Sequence, residues 1–561
     1  LRIVDDAWAE LRRGVYVQHQ RGEIMTRLPS LSLTEAERRS ALGRSLLRRI
    51  ERLEPQDLPH SVLLDLRLVR FCGRFWEREA DWYWLVVDPV GIGHFGEFLP
   101  AAYCGGFLLN VIHMGLKACT FREAGDADRY LGLVADYARL ISQFSERTSG
   151  QAERGIRMPR AQVRNARALL AGFKAGVREA LSVESERLSN LADIRARALT
   201  SELEHRISDQ ILPAFDRSLE VLSDAYLTRA PETVGLGQYP GGAEVYAELV
   251  RLHTTLDLTP LEVHQRGLSK LREIEAAMEE IREELGFSGS GEAFLTHVGR
   301  RPEWRASTVE GLTAVFQRYI DRFKPRFDEY FARGPRADYR VAALPEALQG
   351  SMTFGYFDAP RTDHAEGIYF FNPKNMLEQP LVHVAALTYH ELMPGHHLQE
   401  GLAQENVELH PFRTYTFVTA YCEGWAEYAA TLVAEMGLYE TPEERYGRLM
   451  FDAFFTCRLV VDTGMNVLGW SLEQARDYMR AHSGRSEAEI RSETLRYSCD
   501  IPAQALAYKI GDAKILEIRE HARATLGTDF SLKEFHTTVL DAGSLPLEDL
   551  AWHVETQMAV R

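Results

Sequence analysis

Apolar residues recur at three- and four-residue intervals along most of the chain, and one region breaks that rhythm. Leu42, Leu46, Leu47 and Ile50 lay an apolar face along a helix over 34–53. Residues 161–228 read as a long, charge-rich helical pair. Leu188, Leu191 and Ile194 recur there every third residue, and Pro213 is expected to interrupt the second half. The run Gly235-Leu236-Gly237-Gln238-Tyr239-Pro240-Gly241-Gly242 reads as a loop. No strand precedes it, so its glycines do not make a phosphate-binding fingerprint. Helices resume at 243–256 and 260–286. Thr259-Pro260-Leu261-Glu262 starts the latter, with Thr as cap, Pro at the first position and Glu at the third.

The rhythm changes near Tyr339. Met352-Thr353-Phe354-Gly355-Tyr356-Phe357 and Gly367-Ile368-Tyr369-Phe370-Phe371-Asn372 are short, aromatic and bounded by Gly, Pro and Asp. They read as strands of a small antiparallel sheet. Helical spacing returns at 378 and runs almost to the end. The expected fold is therefore mainly α. A chain of 561 residues exceeds what one core organises. Two lobes follow: a helical one over 1–335, and one over 336–561 carrying the sheet and the chemistry described below.

Composition narrows the function. The formal net charge of -16 argues against nucleic acid, which is bound by clustered Lys and Arg. No apolar run is long enough to span a bilayer. Six scattered cysteines form no C-x-x-C pair, which disfavours a cysteine zinc site and points to a reducing compartment. The expected location is cytoplasmic. Export with a removed signal peptide is the alternative, since the sequence starts at Leu1.

The chemistry concentrates in Tyr389-His390-Glu391-Leu392-Met393-Pro394-Gly395-His396-His397-Leu398-Gln399. A His-Glu pair on a helix begins many zinc sites: the His binds metal and the Glu acts as base towards water. The usual second His lies four residues on, but Pro394 holds that position. On an ideal helix six residues rotate by roughly 600°, turning His396 away from His390, while seven residues rise roughly 10.5 Å, putting His397 out of reach. Pro394 and Gly395 offer the exit, since a helix bulged or broken there can swing a histidine back. His396 is preferred as ligand and His397 is its alternative.

A third ligand is expected from Ala420-Tyr421-Cys422-Glu423-Gly424-Trp425-Ala426-Glu427. Glu423 and Glu427 lie one helical turn apart among apolar neighbours, where a carboxylate needs a partner. Glu423 is assigned as ligand, Glu427 as a supporting or alternative one. Tyr508 is a candidate donor to an oxyanion. Arg458, charged within an apolar run, is a candidate clamp for a substrate carboxylate, with a partner such as Asp462 as the other reading. Lys509, Gln504 and Tyr356 complete the candidate substrate-binding set.

These blocks, with Val461-Asp462-Thr463-Gly464 and Pro502-x-Gln504-Ala505-x-x-Tyr508-Lys509-Ile510-Gly511, resemble the bacterial domain-of-unknown-function 885 family over roughly 230–520. Weaker similarity, including Gly155-Ile156-Arg157-Met158-Pro159, extends over most of the chain. The family resembles helical zinc metallopeptidases such as thimet oligopeptidase and the thermostable carboxypeptidases. That resemblance implies a two-lobed zincin-like fold with a deep central channel and zinc on its floor. It places Gly395-His396 on the second ligand step, Glu423 on the third ligand and Tyr508 beside the reacting group. Members often carry His where this chain has Asn466, and some are exported lipoproteins.

The reading is a zinc-dependent hydrolase, a peptidase with Glu391 as general base, taking a peptide or small-molecule amide. Two alternatives stay open: a metal-dependent enzyme acting on a small non-peptide metabolite, and a non-catalytic, metal-stabilised binding protein. Oligomeric state stays open, a homo-oligomer included.

Overall fold

The computed structural model describes residues 2–53, 58–91, 93–101, 103–346, 349, 355–361 and 364–559. The chain divides into two compact units. The first comprises 1–58, 69–245 and 498–502; the second comprises 59–68, 246–497 and 503–561. The 335/336 boundary expected from the change of rhythm falls inside the second unit.

The first unit is helical. Leu33–Glu51 starts where the Ser32 side chain accepts the Glu35 N–H, a standard N-cap. The stretch read as a helical pair over 161–228 is more segmented than its spacing implied. Arg160–Leu181 is one helix, Ser185–Leu188 a 3-10 turn and Asp193–Arg206 a second helix. The three-residue recurrence of Leu188, Leu191 and Ile194 thus spans a turn; the first two are buried and Ile194 is exposed. Pro213 does not break the chain direction. It sits in the first turn of Leu212–Val221, directly after a π-helical turn, Ile207–Ile211. A proline ring collides with the carbonyl four residues back, and the wider π spacing relieves that collision.

The second unit holds the sheet and the candidate site. Pro260–Glu284 starts with a reciprocal cap: Thr259 Oγ1 accepts the Glu262 N–H, and the Glu262 carboxylate accepts the Thr259 N–H. The sheet has strands β1 (Asp338–Ala343), β2 (Gly355–Asp358) and β3 (Glu366–Phe371) in the order β1-β3-β2. β2 pairs antiparallel with β3, Tyr356 opposite Phe370. β1 pairs parallel with β3, so the sheet is mixed rather than antiparallel. Side-chain alternation encodes which face of a strand is buried but not its direction, so the pattern could not show this. Met352, Thr353 and Phe354 lie outside the described residues.

Five helices surround the candidate site: α1 (Val384–Glu391), α2 (His396–Glu405), α3 (Thr419–Glu435), α4 (Pro442–Val467) and α5 (Ala507–Leu526). Residues 384–390 of α1 are all buried; a helix apolar on every side belongs in the middle of a packed unit. α3 and α5 touch backbone to backbone. A Cβ on Gly511 would lie 2.2 Å from the Ala420 carbonyl, and one on Gly424 would lie 2.6 Å from Gly511. Glycine at both positions sets how closely the two helices approach. Among the described residues, no helix is long and apolar enough to cross a membrane.

Candidate metal centre

The histidine motif occupies two helices, not one. α1 ends at Glu391, and Leu392 leaves helical geometry with φ -110 and ψ -114. The Met393–Pro394 peptide is cis, and Gly395 (φ -79, ψ -128) leads into α2 at His396. The Trp425 indole N–H donates to the Pro394 carbonyl at 3.0 Å, tying the break to α3. Gly395 is required by space: a Cβ there would lie 1.8 Å from the His390 carbonyl oxygen and 2.6 Å from that of Tyr389. The chain therefore doubles back onto the last turn of α1. This removes the rotation that would otherwise separate the imidazoles.

His390, His396 and Glu423 offer ligand atoms that all lie within 4.8 Å of one another, and all three residues are buried. Glu423 Oε2 is 3.2 Å from His396 Nε2 and 3.7 Å from His390 Nε2. The two rings stand edge to face with centres 4.9 Å apart. A tetrahedral zinc with bonds near 2.1 Å sets its ligands roughly 3.4 Å apart. The two carboxylate–imidazole separations bracket that value, so the donor set fits zinc in type and in those two spacings. The imidazoles and carboxylates also stabilise one another's charge. Burial pulls His390 down, but the Glu423 and Glu427 carboxylates outweigh it and raise His390 to about 10. Burial pushes Glu423 up, and the two histidines overcome that and hold it below the usual carboxylate range.

A layer behind these groups fixes them. His390 Nδ1 donates to Glu427 Oε1 at 2.9 Å, which turns Nε2 towards Glu423. Glu427 is fully buried and stays charged because Arg448 Nη1 lies 3.4 Å and Lys509 Nζ 3.7 Å away. Burial raises its pKa; Arg448, His390 and Lys509 lower it below the usual range. Glu427, Asp452 and Asp512 also form a second acidic group. The Lys509 ammonium is bonded to both aspartates, so a cation already sits there. Lys509 thus belongs to this charge network.

Glu391, half-buried at the end of α1, is pushed above the ordinary carboxylate range by burial, against the pull of His390 and His396. The Tyr508 ring stacks on Phe455 at 4.7 Å, with its centre 6.1 Å from that of His390. Phe357 of β2 lies nearly parallel to His396 at 6.4 Å, which sets the sheet edge over the cluster. His397 faces away: Nε2 donates to the Ala337 carbonyl at 3.0 Å and the ring packs on Tyr339. The remaining candidates lie in packing or polar networks. Arg458 pairs with Glu493 at 3.0 Å among the rings of Phe454, Phe455 and Tyr508. Gln504 accepts from Arg496, and Tyr356 stacks on Phe370. Asn466 donates to Asp462 and to the Tyr497 carbonyl. Sequence reasoning missed Glu400, Arg448, Asp452 and Phe455. Glu400 follows His396 by four residues, a signal visible only once a helix is known to restart at His396.

Fold and cluster together define a mainly helical protein with a mixed three-stranded sheet and a buried His-His-Glu group, its histidines on a broken helix and its glutamate on α3. Residues 11–554 match the family described as bacterial protein of unknown function, DUF885, and the chain belongs to that family. Solved structures share the fold, among them the following two. One is a candidate lipoprotein from Colwellia psychrerythraea, with a TM-score of 0.84, 24% identity and 99% of each chain covered. The other is a candidate lipoprotein of unknown function from Shewanella oneidensis, with a TM-score of 0.72, 17% identity, and 100% of this chain and 98% of that one covered. No curated protein matches the chain.

Proposed function

We propose that this protein is a zinc-dependent hydrolase that cleaves amide bonds of peptides. The observation that carries the reading is the convergence of His390 Nε2, His396 Nε2 and Glu423 Oε2, with Glu391 next in sequence to the first ligand. These three residues would hold zinc, which would supply Lewis acidity towards the substrate carbonyl. Glu391 takes the proton of the attacking water as its oxygen bonds to the carbonyl carbon. It returns that proton to the amine nitrogen as the carbon–nitrogen bond breaks. Its raised pKa suits both halves of this task. Tyr508 serves as a donor to the oxyanion. β2 forms an edge of the sheet, and an extended peptide added there would run past Phe357 towards His396. The resemblance to helical zinc metallopeptidases supports the same chemistry. The lipoprotein descriptions of both structural relatives favour export over a cytoplasmic location.

The test is a digest of a mixed peptide library by the zinc-loaded full chain and by Glu391→Gln, with zinc content measured in parallel. Hydrolysis by the native chain and its loss in a variant that keeps its zinc is the expected result. Equal turnover in the two would remove Glu391 as base; zinc uptake without any cleavage by the native chain would remove the peptidase reading.

A further inference from the structure

The two histidines are supported unequally. His390 donates its second ring nitrogen to Glu427, a fully buried carboxylate locked between Arg448 and Lys509. His396 Nδ1 is buried and makes no hydrogen bond. Among the described residues, the carboxylate oxygen paired with it is Glu400 Oε1, at 3.9 Å, one helical turn along α2. A histidine that binds metal through one nitrogen almost always donates its other N–H to a carboxylate, a carbonyl or water, which orients the ring and makes it a stronger ligand. A buried N–H left without an acceptor carries the full cost of its lost hydration.

We propose that Glu400 is the positioning residue for His396, closing onto its Nδ1–H when zinc occupies Nε2. The inference rests on the zinc reading of the site. The geometry needs little movement. Residues four apart on a helix face each other, and the gap exceeds a charge-assisted N–H···O bond of about 2.8 Å by only about 1.1 Å. Glu400 is free to make that movement. Its side chain is 22% exposed at the edge of the site, whereas Glu427 is fully buried among its cations. Rotation of the Glu400 carboxylate about its own side-chain bonds moves no backbone. His396 is thus the ligand set last, on a helix that begins at the ligand itself, and Glu400 holds it in place. Glu427 holds its ligand before metal arrives; Glu400 holds its ligand afterwards. Loss of Glu400 should therefore show mainly as faster zinc release.

The test uses the full chain with zinc alone as the probe. Affinity is read by competition with a chromophoric chelator, and release is read as the rate of transfer to excess EDTA. Three proteins are compared: the native chain, Glu400→Leu, which keeps the bulk and removes the acceptor, and Glu400→Gln, which keeps an acceptor oxygen without the charge. Glu400→Leu should bind zinc about 10–100-fold more weakly, chiefly through faster release, and Glu400→Gln should recover part of the loss. In the zinc-loaded structure Glu400 should lie within hydrogen-bond distance of His396 Nδ1. Zinc affinity and release unchanged in Glu400→Leu would overturn the inference and leave the hydrolase reading standing. A Glu400→Gln variant as weak as Glu400→Leu, with both showing equally lowered thermal stability, would assign Glu400 to the fold and overturn it as well. A native chain that takes up no zinc would remove both.

Discussion

Gly395 is where one methyl group should decide whether the site exists. In Gly395→Ala the added carbon falls 1.8 Å from the His390 carbonyl oxygen, 2.5 Å from its carbonyl carbon and 2.6 Å from the Tyr389 carbonyl oxygen. All three are backbone atoms of the last turn of α1, so no side chain can rotate to make room. Reaching ordinary contact means parting the start of α2 from the end of α1 by more than about 1 Å, whereas a metal site tolerates about 0.2 Å in its ligand distances. Overpacking of this kind costs about 1–3 kcal/mol in the apo chain. The larger effect falls on zinc, because His396 leaves the position it shares with His390 and Glu423. Zinc affinity should drop by at least about 100-fold, or roughly 2.7 kcal/mol. Chelator competition reads the affinity and chemical unfolding of the apo chain reads the stability. Gly132→Ala is the control. Gly132 lies exposed in the helix Ala124–Glu153, with nothing within 4 Å of an added Cβ. There the same change should stabilise by about 0.5–1 kcal/mol. Native zinc affinity in Gly395→Ala would refute the claim that contact between α1 and the Gly395 backbone builds the site.

His397→Ala should keep a full equivalent of zinc and lose about 1–3 kcal/mol of stability, because the ring bonds the Ala337 carbonyl and packs on Tyr339 and Phe357; metal analysis showing empty protein would restore His397 as a ligand. His536 carries a pH dependence of known sign. Burial lowers its pKa from an ordinary 6.5 to about 4, with the Tyr428 hydroxyl and the Tyr330 carbonyl on its nitrogens. The unfolded chain then binds a proton that the folded chain refuses, so the contribution is full above pH 6.5 and is lost as pH falls towards 4. Relative to His536→Gln, the native chain should lose up to roughly 3 kcal/mol across that window. Taking the difference cancels groups that titrate the other way, such as Asp462, pushed up to about 7 by burial. Unfolding midpoints of the two proteins that move in parallel from pH 7 to 4.5 would exclude a neutral buried His536.

What could be read from the sequence follows the range of the forces involved. The cap at Thr259 is a local hydrogen bond between residues three apart, and it was visible in the letters. The parallel pairing of β1 with β3 joins residues 28 apart, Asp338 with Glu366, and no local pattern specifies it. The metal cluster lies between these cases. Helical geometry alone forbids His390 and His396 from sharing an ion, and Pro394-Gly395 signals that the helix must fail there. Neither fact gives the direction of the new helix. That direction is set by Gly395 lying against the His390 carbonyl and by Trp425 bonding the Pro394 carbonyl, contacts that exist only once α1 and α3 have packed. Glu400 was hidden for the same reason. As the tenth residue after His390 on one supposed helix it has no bearing on the site, yet as the fifth residue of α2 it faces a ligand. A motif that breaks its own helix therefore conceals its supporting residues on the far side of the break, and they are found by counting again from the new helix start.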